Sequence, residues 1–173
     1  MQHSDFVHLH NHSDYSLLDG ASPIAGMVAR AAELRMPALA LTDHGSLFGA
    51  VEFYQEARKA GVKPIVGMEA YVTRGKRQDR TRDTAHHLVL LARDETGFRN
   101  LMRLSSLAFL EGFYYKPRVD HEILSQYSKG LLRIDSVMSS TAAAAFSMSG
   151  STSEKRGSSA SSGRPRCSKA SRM

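Results

Sequence analysis

Strands and helices that alternate over residues 1–132 predict an α/β fold, followed by a Ser/Arg-rich tail outside it. Three observations carry the prediction. Apolar residues recur at period 2 and at helical spacing in turn. His, Asp and Glu residues fall at the ends of successive predicted strands. The composition changes abruptly near residue 133, where the apolar periods stop.

The elements follow in order. Residues 6–12 read as a strand, with Val7 and Leu9 on one face and His8, His10 and His12 on the other. Ser22-Pro23 reads as a helix start, an N-cap hydroxyl with proline at the first helical position. Ile24, Met27, Val28, Ala31 and Leu34 continue it as an apolar stripe. Residues 38–42 form a short apolar strand, and residues 47–60 a second helix closed by Gly61 at C′. A third strand spans 62–72, interrupted by Pro64 and Gly67, and a charged loop spans 74–83. Residues 87–92 are a fourth strand. Residues 96–110 are a third helix that buries Phe98, Leu101, Met102, Leu104, Leu107 and Ala108. A short helix over 122–127 leads to a strand that breaks off at Leu132. Such alternation implies parallel strands joined by right-handed crossovers, in an open sheet or a β/α barrel.

Composition narrows the class. The chain has 173 residues, 42% of them apolar, which suits one soluble domain. No run approaches the roughly 20 apolar residues of a membrane span, and the polar start is no signal peptide, so the cytoplasm is the expected compartment. The single cysteine, Cys167, excludes an internal disulfide. The net charge of +6 suggests nucleic acid, but residues 133–173 hold seven Lys/Arg against two Asp/Glu, and residues 1–132 sixteen against fifteen. The basicity is therefore in the tail and says little about the folded part. Thirteen of those last forty-one residues are Ser. Such a segment cannot offset its ordering entropy by burial, so it is expected to be disordered, apart from a turn or two of helix near Ala142 to Phe146.

The candidate chemistry lies at the strand ends. His10 and His12, two apart on a strand, project both imidazoles from one face and can hold one metal ion; the alternative is an exposed polar edge. His44 ends the second strand in Thr42-Asp43-His44-Gly45, and Glu69 the third. Asp19 precedes Gly20 in the loop after the first strand, where it is either a ligand or a turn former. His87 opens the fourth strand, which places it at the opposite end if that strand is parallel. A mixed nitrogen/oxygen set in one crevice suits Zn²⁺, Mn²⁺ or Fe²⁺ better than Ca²⁺ or Mg²⁺. Asp43 either caps the next turn or orients a histidine. His3, His86 and His121 read as exposed. Tyr114 and Tyr115 beside Lys116 and Arg118 can stack a base, though packing is the commoner use. The Arg74 to Arg82 stretch reads as a solvated loop rather than a phosphate contact.

The run His8-Leu9-His10-Asn11-His12-Ser13 through Asp19-Gly20 resembles the opening of bacterial DNA polymerase III alpha subunits. So do Thr42-Asp43-His44-Gly45, the stretch from Lys63-Pro64 to Tyr71-Val72, and Thr96-Gly97-Phe98 through Glu111-Gly112. The matched part resembles their N-terminal polymerase and histidinol phosphatase (PHP) domain. The resemblance implies about the first half of a distorted β/α barrel with up to three divalent metal ions. It implies His10, His12, Asp19, His44, Glu69 and His87 as ligands. It further implies a protein that extends DNA from deoxynucleotides with a proofreading subunit and a sliding clamp, its polymerase catalytic residues lying outside this chain. Metal-dependent 3′–5′ exonuclease or phosphoesterase chemistry is what the present residues would carry. A stand-alone phosphoesterase and a non-catalytic scaffold are the alternatives. The resemblance stops at Leu132, which implies a truncated, frameshifted reading over 133–173, with Cys167 no substitute for a missing ligand.

Overall fold

The computed structural model describes residues 4–81 and 84–134. His3, the end of the charged loop at Arg82 and Asp83, and the expectations for residues 135–173 lie outside the described residues.

The centre of the architecture is the long strand β2 (Lys63–Val72), which pairs along both edges. β1 (Ala38–Leu41) runs parallel to its first half, with Leu41 opposite Val66. β5 (Lys116–Val119) runs parallel to its last residues on the same edge. β3 (His86–Ala92) covers the other edge antiparallel, with His87 opposite Tyr71. β4 (Phe113–Tyr114) and β6 (Leu131–Ile134) close the two margins, giving the order β4-β5-β2-β3-β6. The all-parallel expectation is thus corrected at β3, which joins β2 through a connection with no helix among its described residues and returns antiparallel. β6 also continues through Arg133 and Ile134, past the point where the expected strand breaks off. Its pairing with β3 and the packing of Ile134 against Ala40, Val89 and Leu91 hold those residues in the sheet.

Helices cover one side in two groups. α1 (Ile24–Glu33) and α2 (Ala50–Lys59) bury Ile24, Val28, Ala31, Phe53 and Ala57 against Leu39 and Leu41. α3 (Glu95–Leu110) and α4 (His121–Gln126) bury Leu101, Leu104, Ile123 and Leu124 against Met68, Ala70 and Val72. Strand alternation then turns Glu69 and Tyr71 to the other side of β2. Each fully buried large apolar side chain contributes roughly 1.5–3 kcal/mol.

Helix ends follow local chemistry. Asp94 and Asp120 accept from the backbone N–H of Gly97 and Ile123, which caps α3 and α4. Gly61 closes α2 at φ +74°, with its N–H bonded to Arg58 and that of Val62 to Ala57. Ser22 does not cap α1. Pro23 takes the N-cap position, and no side chain bonds the first turn. Met102, expected in the core, is 42% exposed because the buried stripe of α3 runs through Leu101, Leu104, Ser105 and Ala108.

Two further differences concern irregular segments. Residues 6–12 run extended beside β1 without becoming a ladder strand. Ala40 N–H donates to the His8 carbonyl and Thr42 N–H to that of Asn11. Three residues on one side thus match two on the other, a bulge whose ladder is completed by the Asn11 amide donating to the His8 and Ala40 carbonyls. In the charged loop, Arg77 is buried, and the solvated reading fails there. Its guanidinium meets Glu111 at 2.6 Å, and Asp120 and Glu122 each at 3.0 Å.

Candidate metal centre

Four adjacent backbone segments place the site. The residues before β1, the residues after it, β2 and β3 lie side by side, and each supplies a ligand-type side chain at the same end. His44 forms an isolated parallel bridge with Glu69, and Glu69 N–H donates to the Asp43 carbonyl while Gly45 N–H donates to that of Glu69. The antiparallel direction of β3 brings its first residues, not its last, to this end. His87, which would lie at the wrong end of a parallel strand, therefore reaches the cluster. His8 does not join His10 and His12: the bulge breaks the alternation, and His8 packs edge-on against Phe6.

Glu69 is the hub. Its side chain is 5% exposed, with Oε2 2.7 Å from His10 Nε2, 2.8 Å from His12 Nε2 and 3.6 Å from His44 Nδ1. Oε1 lies 2.5 Å from His87 Nδ1. Two groups of converging donors result, His10/His12/Glu69 and His44/Glu69/His87, which share the one carboxylate. Burial, the largest influence on Glu69, pushes its carboxyl up. The hydrogen bonds from His10 and His87 and the nearby charges of His44 and His10 outweigh it and hold the group below the ordinary carboxylate range. Burial and the neighbouring His44 push the His12 imidazole down.

The surroundings fix which nitrogens face inward. Asp43 is 1% exposed and accepts from Ser13 N–H, Ser13 Oγ–H and Ser16 Oγ–H, each at 2.7 Å. With its single proton committed to Asp43, the Ser16 oxygen can only accept, from His44 N–H at 3.2 Å and from His12 Nδ1 at 3.3 Å. His12 therefore carries its proton on Nδ1 and turns the Nε2 lone pair toward Glu69. Asp19 Oδ2 lies 2.7 Å from His44 Nε2, so that nitrogen carries the proton of a neutral His44. The hydrogen bond from His44 holds the exposed Asp19 carboxyl below its usual range. His44 Nδ1 is buried and has no hydrogen-bond partner among the described residues.

These residues fit a divalent metal. With the imidazoles neutral, lone pairs of His12 Nε2, His44 Nδ1 and Glu69 converge without enough protons to bridge them, which a cation between them resolves. The separations of 2.7–3.6 Å from the three nitrogens to Glu69 Oε2 bracket the roughly 3.3 Å between ligands held about 2.0–2.1 Å from a tetrahedral ion. Neutral imidazoles with one bridging carboxylate suit Zn²⁺ or Mn²⁺.

The structure thus brings together His10, His12, His44, Glu69 and His87. Asp19 reaches them through His44 and stands outside both donor groups. Asp43 sits behind them, acting on His12 and His44 through Ser16. Sequence reasoning missed Ser13, Ser16 and Tyr71. Tyr71 stacks on His44 with centroids 5.5 Å apart and meets His87 edge-on at 5.0 Å. Burial and the Glu69 charge push its phenol up. The usable signal for the serines was Asp43 just after an apolar strand, with no Lys or Arg beside it in sequence, so that a buried carboxylate there needs other donors. His86 pairs with Arg74, and His121 opens α4, both away from the cluster.

The PHP domain profile matches residues 8–156, reaching past residue 132. The DNA polymerase III subunit alpha of Borreliella burgdorferi is 53% identical over 133 residues, covering 75% of this chain and 12% of that protein. That of Thermus aquaticus is 52% identical over 136 residues, covering 75% and 11%. The chain thus spans about an eighth of the length of these relatives. Among solved structures, an amidohydrolase from Chromobacterium violaceum aligns with a TM-score of 0.43 at 30% identity, covering 58% of this chain and 34% of that one.

Proposed function

Since the chain belongs to the PHP domain family, we propose that it is part of a DNA polymerase III alpha subunit whose histidine cluster is a multinuclear metal centre for phosphoester hydrolysis. The observation that carries the reading is Glu69, shared by two donor groups, with the buried His44 Nδ1 beside it lacking a hydrogen-bond partner among the described residues. His10, His12 and Glu69 would hold one divalent ion, and His44, Glu69 and His87 a second. A third is expected only with ligands from outside the described residues.

When bound, the ions supply Lewis acidity toward phosphate oxygens and activate water near neutral pH. The chain's own residues do the positioning. Ser16 keeps the His12 Nδ1 protonated, and Asp19 does the same for His44 Nε2, so each presents one lone pair inward. Tyr71 walls the centre and limits water behind His44. Glu69 holds negative charge between the two groups, which favours dications over monovalent ions.

DNA synthesis from deoxynucleotides, with DNA, a proofreading subunit and a sliding clamp as partners, belongs in this reading to the longer protein. Among the described residues no helix is long and apolar enough to cross a membrane. Residues 1–132 are proposed as the domain and 133–173 as a non-homologous tail, against the run of β6 to Ile134 and of the family match to residue 156, and re-reading the encoding DNA in its other frames tests the division.

The experiment is metal analysis with a 3′–5′ exonuclease assay on the wild type and on the double variant His10→Ala, His12→Ala. The expected result is loss of metal and activity together. Unchanged metal content in the variant would remove the site, and retained metal without activity in the wild type would make it structural.

A further inference from the structure

Beside the metal centre lies a cleft of about 540 Å³, lined by Ala85, His87, Tyr114, Tyr115, Lys116 and Arg118. Its size is in the range of about 300–1,000 Å³ typical of small-molecule sites. His87 belongs both to this cleft and to the donor cluster, so the two share a wall. No carboxylate lines it among the described residues, while Lys116 and Arg118 bring positive charge.

Tyr115 is the unusual member. It is 80% exposed, and its backbone takes φ +61°, the left-handed region that a bulky side chain seldom adopts. An aromatic ring held in that conformation while burying almost nothing contributes little to the core, and such outliers gather at ligand clamps. Its ring meets Tyr114 edge-on at 4.7 Å. Tyr114 is in turn steadied by the guanidinium of Arg118, 5.4 Å from its ring centroid. Arg118 is 2% exposed and donates to the carbonyls of Gly112, Arg77 and Asp79, so this floor is rigid. Lys116 Nζ sits 4.4 Å from the Tyr71 ring centroid, and Tyr71 stacks directly on His44. The ammonium is therefore one ring away from the candidate metal ligands.

An aromatic platform, a cation and a metal centre in a row match a phosphate ester that carries a planar ring. We propose that this cleft is a nucleotide subsite, in which Tyr115 stacks the base and Lys116 pairs with the phosphate presented to the metal centre. The proposal rests on the phosphoester reading above and adds two specificity residues to it.

The test uses the 173-residue chain, which has no Trp, so that tyrosine emission reports on stacking. Deoxyadenosine 5′-monophosphate, deoxyribose 5-phosphate and inorganic phosphate are titrated by calorimetry and fluorescence, with metal content measured in parallel. The nucleotide should bind about tenfold more tightly than the sugar phosphate, as expected for one stacked base. Tyr115→Gly should abolish that preference; glycine favours φ +61°, so the variant keeps the backbone. Lys116→Gln should weaken both phosphates and leave their ratio intact, and neither variant should lose metal. Equal binding of the two phosphates by the wild type, no binding, a preference that survives Tyr115→Gly, or metal loss in that variant would each overturn the subsite. A base preference in a chain that binds no metal would instead defeat the metal-centre reading and leave the subsite standing.

Discussion

Ser16→Ala isolates the link between the buried carboxylate and the candidate metal ligands. The substitution removes one hydroxyl, which donates to Asp43 at 2.7 Å and accepts from His44 N–H and His12 Nδ1. Asp43 keeps two donors, both on Ser13, so it stays in place. The His44 N–H loses its acceptor, at a cost of about 1–3 kcal/mol in fold stability if water does not replace it. The His12 ring loses what fixes its tautomer, and the population with the Nε2 lone pair inward falls. Loss of such an outer partner typically costs about 10–100-fold in metal affinity. The assay is competition for Zn²⁺ or Mn²⁺ against a chelator of known affinity, alongside denaturant unfolding of the metal-free chain. Ser16→Ala should lose affinity in that range, and Ser16→Thr should restore part of it. A variant that loses stability while binding metal as tightly as the wild type would refute the tautomer argument.

Three other outcomes follow from the packing. Arg77→Ala should destabilise the chain by about 3 kcal/mol, because Asp120 would remain buried without its cation. Urea midpoints measure it. The Asp120 carboxyl is pushed up by burial but held below its usual range overall by the N–H groups of Arg77 and Ile123 and by the Arg77 guanidinium. Its stabilisation is therefore present above the unfolded-state carboxyl pKa and is lost as pH falls through the lower folded-state value, so Asp120→Asn should flatten the acid limb of a stability–pH curve. Arg35 sits at φ +56° just after α1, so Arg35→Gly should stabilise by about 0.5–1 kcal/mol in thermal unfolding.

Much of the fold was legible because α1, α2 and α3 carry helical apolar periods, β1 is a short continuous apolar run, and α2 ends at a recognisable signal in Gly61. Two donors of the candidate site were legible for a related reason: His44 follows β1 and Glu69 lies in the parallel strand β2, which continues to Val72, so the shared direction of the two segments brings them side by side. His87 was not, because strand direction depends on the connection from β2, and a charged loop says nothing about which way the chain returns. Residues 6–12 misled through their alternation, which gives no warning of the extra residue that separates His8 from His10. Arg77 was hidden because its three carboxylate partners, Glu111, Asp120 and Glu122, lie more than thirty residues away. Ser13 and Ser16 looked like ordinary turn residues, and only the buried Asp43 gives them a task.

In the proposed metal centre Glu69 joins two ion sites, and metal stoichiometry of the wild type, His87→Ala and Glu69→Gln distinguishes this from any other arrangement. The two donor groups predict two tightly held ions in the wild type, the loss of one with His87→Ala, and the loss of both with Glu69→Gln. Equal metal content in all three proteins would contradict it.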